Sequence, residues 1–201
     1  MFLEYLTSNP IYFFRIVAVL IISITLHELA HGWAALSQGD DTPIITGHMT
    51  PNPIVHMGWV SLIFLCIAGI AWGQMPVNPR NFRNPKWGNI WVSAAGPLMN
   101  LTLAFVAMLI INIASISGLL DIISRDFFYY LATVNLVLFL FNFLPIPPLD
   151  GFHVLSEFSP SLKPLQNSPF GMVAFMILFY SGASTSLFLL ARFITDSLVG
   201  F

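Results

Sequence analysis

The chain has 201 residues, of which 57% are hydrophobic and only 8% charged, and its net charge is −2. Soluble domains carry about a quarter charged residues, so this composition, with a mean hydropathy of +0.82, excludes a water-soluble globule and describes an integral membrane protein. No basic stripe is present to hold nucleic acid, and Cys66, the one cysteine, excludes both an internal disulfide and a cysteine-built metal site.

The N-terminus lacks a basic region followed by a short apolar core and a small-residue cleavage site, so no cleavable signal peptide is expected. The first apolar stretch, Ile11–Leu36, is about 39 Å long as a helix, enough to cross a bilayer. Its only formal charges are Arg15 and Glu28. It carries His27-Glu28-Leu29-Ala30-His31, two imidazoles four residues apart with a glutamate between them. That spacing puts both imidazoles on one helix face, where they can bind one zinc ion, and the glutamate can act as the general base of a metalloprotease. A charged group at bilayer depth costs roughly 2.5–3.5 kcal/mol on insertion scales, a cost that points to function.

The next segment, 38–53, contains Asp40, Asp41, Pro43, Gly47, Pro51 and Pro53 and reads as a loop. Within it, Ile44 to Thr50 is compatible with a short strand, able to pair with an unwound substrate segment through its backbone. His48 and His56 read as loop or interfacial histidines rather than ligands. Met57–Trp72 is short for a crossing and holds Gly58 and Gly69, which suits a re-entrant or interfacial element. Three further stretches are long enough to span: Trp87–Leu120, Phe127–Leu144 and Phe170–Ala191. Asn100, Asn112 and Asn135 lie inside spans, where an interhelical hydrogen bond is the ordinary expectation. Gly96-Pro97 is suited to a kink or a close helix contact. The expected fold is an all-α polytopic membrane protein of about four transmembrane helices plus the short apolar element, forming a single membrane-embedded domain over 1–201.

A catalytic zinc needs three protein ligands and one open position. Asp150 is the candidate third ligand, because Asn142-Phe143-Leu144-Pro145-Ile146-Pro147-Pro148-Leu149-Asp150-Gly151 ends a span in a proline cluster. Prolines break helix, and broken backbone at membrane depth is tolerated where it lines a protected cavity. Gly151 permits a close approach beside the aspartate. The plainer alternative is that Asp150 opens a short interfacial helix running toward Glu157. His153, three residues on, suits either an outer partner of the metal site or an interfacial position.

Together, His27-Glu28-x-x-His31, Asn142-x-x-Pro145, Leu149-Asp150-Gly151 and Ala95-Gly96-Pro97-Leu98-Met99-Asn100 resemble, in the same order, the motifs of the site-2 protease family of intramembrane zinc metalloproteases. The resemblance covers roughly residues 11–158 and is nearest to the compact prokaryotic branch. It implies a three-helix catalytic core with one zinc per chain on His27, His31 and Asp150. It also implies Glu28 as the base, Asn142 as a helper in substrate or oxyanion binding, and a membrane-protein substrate whose helix must unwind. Two departures stand out: Gly151-Phe152 replaces the Gly-Gly of many relatives, and no appended regulatory domain is expected.

Positive charge sets orientation. If the metal end is cytosolic and 57–72 does not cross, the cytosolic loops hold Arg80, Arg83, Lys86 and Lys163 and the outer loops only Arg125. Both termini then lie outside. Two other classes remain at this point: a metal transporter, against which the lack of internal repeats speaks, and a non-catalytic scaffold, against which the intact Glu28 speaks. A serine intramembrane protease is not expected, since no Gly-x-Ser-x-Gly element is present.

Overall fold

The computed structural model describes residues 2–119, 124–166 and 181–200, with Ser168, Gly171, Val173, Ala174 and Ile177 between the last two stretches. Every regular element among them is helical. A short helix, α1 (Tyr5–Ser8), precedes α2 (Pro10–Ser37). Then follow α3 (Thr42–Ile45), α4 (Pro53–Ala68), α5 (Pro85–Ile116), α6 (Arg125–Asn142), α7 (Asp150–Phe158) and α8 (Ala183–Val199). Two of the described helices, α2 and α5, are long and apolar enough to cross a membrane, and α4 is a shorter apolar helix. The architecture is a multi-pass membrane helix bundle.

Three helix starts, those of α2, α4 and α5, follow one local rule. Asn9-Pro10, Asn52-Pro53 and Asn84-Pro85 each place asparagine at the cap and proline in the first helical position. The three asparagine side chains accept from Tyr12 N, Ile54 N and Trp87 N at 3.1, 3.0 and 3.1 Å. Asparagine satisfies an orphan N–H there, and proline lacks the N–H that would be left over. These caps start the helices a few residues before the apolar stretches of the sequence begin. At the other end, α6 stops at Asn142, ahead of the proline cluster.

Helix α5 is central, with α2, α6 and α7 packed on it and α8 against α6. The main core joins Val19 of α2, Ala104, Ala107, Met108 and Ile111 of α5, Leu131, Ala132 and Leu136 of α6, and Ala191 and Val199 of α8. Small residues let the backbones approach closely where lipid supplies no hydrophobic drive between helices. The opposite face of α5 exposes Phe105, Leu109, Ile113 and Ile116, the face a bilayer would cover. The interhelical role expected of the span asparagines holds for Asn112, which donates to Leu198 O at 3.0 Å, and for Asn100 and Asn135, bonded to each other at 2.9 Å.

The 57–72 run doubles back. Helix α4 lies against α2, and its far end, Gly69, meets the Phe2 ring. Gly69 takes a left-handed φ of +73° and ends the helix. The chain then returns in a segment, 70–78, that is neither helix nor strand. Ser61 Oγ donates to Trp72 O at 2.7 Å and accepts from Trp72 N at 2.9 Å, and Gln74 N donates to His56 O at 3.0 Å. The run therefore ends beside its own start.

The loops flanking it are tied to one another. Asp40, fully buried, accepts from Asn78 N, Asn81 Nδ2 and both the N–H and hydroxyl of Thr42. Burial alone would raise the Asp40 carboxyl pKa, but these four bonds outweigh it and hold the group below its ordinary value. Arg83 N also donates to Gln38 O at 2.8 Å. The same knot corrects the strand expected at 44–50. Asp40 turns the chain at Thr42, Pro43 fits the first turn of α3, and Gly47 at φ +72° turns it again, so no strand forms there. Of the other expected spans, Phe170–Ala191 is described at only four positions before residue 181, and Leu120 lies outside the described residues; the described helix in the former region is α8, which starts at Ala183.

Candidate metal centre

Helix α2 presents His27 and His31 one turn apart, both about nine-tenths buried. Their rings sit edge to face with centroids 4.6 Å apart. Asp150, the first residue of α7, joins them from 119 residues further along the sequence. His27 Nε2 lies 3.0 Å from His31 Nε2, and Asp150 Oδ2 lies 3.2 and 3.5 Å from the two nitrogens. Among the described residues this is the one group of three potential metal ligands.

Each member is held by something the local sequence explains. Gly151 brings the start of α7 against the Phe143–Leu144 backbone: a Cβ there would sit 2.7 Å from Leu144 O and closer still to Phe143 O. Asp150 thus opens a short helix and also faces the two histidines. Gly96 on α5 is packed against the imidazoles, and a Cβ on it would lie 2.5 Å from His27 Nε2 and in contact with His31 Nε2. Behind the rings, His31 Nδ1 is 2.6 Å from Val92 O, and His27 Nδ1 is 2.6 Å from Asn100 Oδ1. Oxygen acceptors at both Nδ1 atoms place the protons there and turn the bare Nε2 atoms toward Asp150.

The donor set fits zinc. With zinc–ligand bonds of about 2.0–2.1 Å, the edges of a tetrahedral site are about 3.3 Å long, close to the three separations observed. Two imidazole nitrogens and a carboxylate oxygen converge with their electron pairs facing inward, a repulsive arrangement that a single divalent cation relieves.

The site opens into a cavity of about 830 Å³. Glu28 lines it, one residue from His27, and the backbone of Gly73 lies directly against its carboxylate: a Cβ at Gly73 would be 2.6 Å from Glu28 Oε1. The returning 70–78 segment thus forms the wall opposite Glu28. Asn142 also lines the cavity, with its amide donating to Leu138 O at 3.0 Å, which leaves the second amide hydrogen available. His153 lines it as well, and burial keeps its imidazole pKa below the ordinary value despite the nearby Asp150 carboxylate. The other two histidines do not line the cavity; His48 lies in a loop as expected, whereas His56 is a buried residue of α4 rather than a loop or interfacial one. His56 Nε2 donates to Thr50 O at 2.7 Å, and His48 Nδ1 bonds Thr46.

Several lining residues were not foreseen from the sequence. At one end of the cavity, buried Glu157 accepts from Asn89 Nδ2 at 3.0 Å and from Lys163 Nζ at 2.8 Å. The signal for the α5 residues was present: Asn89, Val92, Gly96 and Asn100 recur every three or four residues, one stripe of a helix. The 70–78 segment carries no such period.

The profile of peptidase family M50 matches the chain over residues 15–116 and 108–183. YwhC of Bacillus subtilis is 38% identical over 173 residues, 82% of this chain and 79% of that protein. Rip2 of Mycobacterium tuberculosis (strain H37Rv) is 28% identical over 181 residues, 83% of this chain and 67% of its own length. MJ0392 of Methanocaldococcus jannaschii is 25% identical over 148 residues, 74% of this chain but 35% of that longer protein. All three bear names that call them zinc metalloproteases. No solved structure matches this one.

Proposed function

Because this chain belongs to peptidase family M50, the site-2 protease family, we propose residue roles and a membrane placement for a zinc-dependent intramembrane protease. The enzyme is a zinc metalloendopeptidase acting on membrane-embedded protein substrates. In our reading one zinc per chain is held by His27 Nε2, His31 Nε2 and Asp150 Oδ2, and the observation that carries it is the convergence of those three atoms within 3.5 Å.

When bound, zinc supplies a Lewis acid that acidifies water and polarises the scissile carbonyl. The remaining steps fall to the chain. Glu28 takes the proton of the attacking water and returns it to the leaving amine. Asn142 offers its remaining amide hydrogen to the carbonyl oxygen as charge develops there. The 70–78 segment on one side and α7 on the other shield the reacting groups from lipid. A substrate helix must unwind before it reacts, because its peptide bonds are otherwise closed in its own hydrogen bonds.

The placement follows the same logic. The whole of 1–201 acts as one domain that crosses four times, through α2, α5, α6 and the segment ending in α8. The metal end faces the cytosol. In support, the 38–53 and 73–86 loops are hydrogen-bonded to each other, so both lie at one end of the bundle. Arg80, Arg83, Lys86 and Lys163 then gather on the cytosolic side.

The test is bound zinc per chain after detergent purification, with hydrolysis of a membrane-protein substrate measured beside it. Native protein and Glu28→Gln should hold near-stoichiometric zinc, with hydrolysis in the latter down by roughly 10²–10⁴-fold, the usual share of a general base. Asp150→Ala should lose both. Full zinc in Asp150→Ala would remove that residue from the ligand set.

A further inference from the structure

His31 and His27 are oriented by different means. His31 Nδ1 meets a main-chain carbonyl, Val92 O, whose polarity cannot change. His27 Nδ1 meets the side-chain amide of Asn100, and an amide can present either oxygen or NH₂. With NH₂ toward the ring, His27 would have to accept at Nδ1 and carry its proton on Nε2, pointing at the other donors. The direction of the Asn100 amide therefore decides whether His27 can be an Nε2 ligand.

That direction is dictated from further away. Asn100 Nδ2 lies 2.9 Å from Asn135 Oδ1 and 3.5 Å from Ser23 O. Asn135 Nδ2 lies 2.8 Å from Leu131 O and 2.8 Å from Ser23 Oγ, and Ser23 Oγ donates to Val19 O at 2.7 Å. Leu131 O, Val19 O and Ser23 O are carbonyls and can only accept. They fix Ser23 Oγ as the donor to Val19 and Asn135 Nδ2 as the donor to Leu131 and Ser23. Asn135 Oδ1 must then face Asn100 Nδ2, which turns Asn100 Oδ1 to His27. All three side chains are fully buried, so no water competes and a reversed amide would leave several polar atoms unpaired.

We propose that Ser23, Asn135 and Asn100 form a one-way hydrogen-bond relay that sets the His27 tautomer and with it the affinity of the metal site, Asn100 and Asn135 being positioning residues. This rests on the His27–His31–Asp150 zinc reading. Partners of ligating histidines alter metal affinity by roughly 10–100-fold, and the relay places that leverage in three transmembrane helices at once.

The experiment measures zinc affinity by chelator competition on detergent-purified native protein, Asn100→Leu, Asn100→Asp and Asn135→Leu. Asn100→Leu removes the acceptor and should weaken zinc by roughly 10–100-fold. Asn135→Leu, which leaves Asn100 free to reverse, should weaken it less. Asn100→Asp keeps an acceptor at His27 Nδ1 and should bind more tightly than Asn100→Leu. Interhelical glue alone would lower the melting temperature of all three and leave the affinities equal to native, which would overturn the relay. A second measurement needs no variant: ring-nitrogen NMR of ¹⁵N-histidine in the zinc-loaded native protein should place the His27 proton on Nδ1, and a proton on Nε2 would overturn the relay. Failure of the native protein to bind zinc would sink the site reading and this inference together. Tight native binding matched by Asn100→Leu would sink the relay alone.

Discussion

Helices α2 and α5 touch along their lengths, yet their two ends are built on different principles. At one end Val19 meets Ala104, Ala107, Met108 and Ile111 in a dry apolar core. At the other, His27 and His31 meet Val92, Gly96 and Asn100 through hydrogen bonds and a glycine. Both ends use small residues for a close approach. At the apolar end the space admits the neighbouring helix, whereas at the site end it admits two imidazoles whose nitrogens must aim at one point. The first use tolerates small adjustments of packing. The second does not, because a ligand moved by about half an ångström leaves its productive geometry.

The site end is most sensitive at Gly96. In Gly96→Ala the new methyl meets both Nε2 atoms, so the rings must turn out and give up Asn100 Oδ1 and Val92 O. Zinc affinity should fall by about 100-fold, the upper end of what disturbed outer partners cause. Hydrolysis should fall with it. Retained zinc and activity in Gly96→Ala would mean the histidines are not pinned between α5 and Asp150.

Across the cavity, Gly73→Ala should separate the two chemical roles. Its Cβ would lie 2.6 Å from Glu28 Oε1 and 2.8 Å from Ile24 Cγ2, displacing the base and leaving the histidine face alone. Turnover should drop by about 100-fold, as expected when a reacting group shifts by about 1 Å, while zinc per chain stays native. Loss of zinc as well would show that the 70–78 wall supports the ligands too.

How much of this the sequence discloses depends on range. His27, Glu28 and His31 are legible because a helix turn alone brings them together. Asp150 is legible because the proline cluster before it announces broken backbone at membrane depth, and Asn-Pro pairs announce three helix starts. Asn100 and Asn135 declare only that a buried amide needs a partner; which partner depends on three helices packing at once. The 70–78 segment has no periodicity to read, and its place comes from three distant bonding points, Ser61, His56 O and the Asp40 carboxylate. The 44–50 segment misleads because its paired isoleucines suggest a strand, while Asp40, with partners at Asn78 and Asn81, turns the chain first.

The smallest effect should come from the apolar end, and it sharpens the contrast. Ala107 is fully buried between α5 and its neighbours, so Ala107→Leu forces extra methylenes into a filled core and should cost about 1–3 kcal/mol of stability. Its melting temperature in detergent should fall. Below that temperature, zinc per chain and turnover should equal native values, because the site end takes its geometry from Gly96, Asn100 and Gly151 rather than from this core. A loss of zinc at a temperature where Ala107→Leu remains folded would mean that helix spacing is transmitted along the α2–α5 contact, and that the two ends are one mechanical unit.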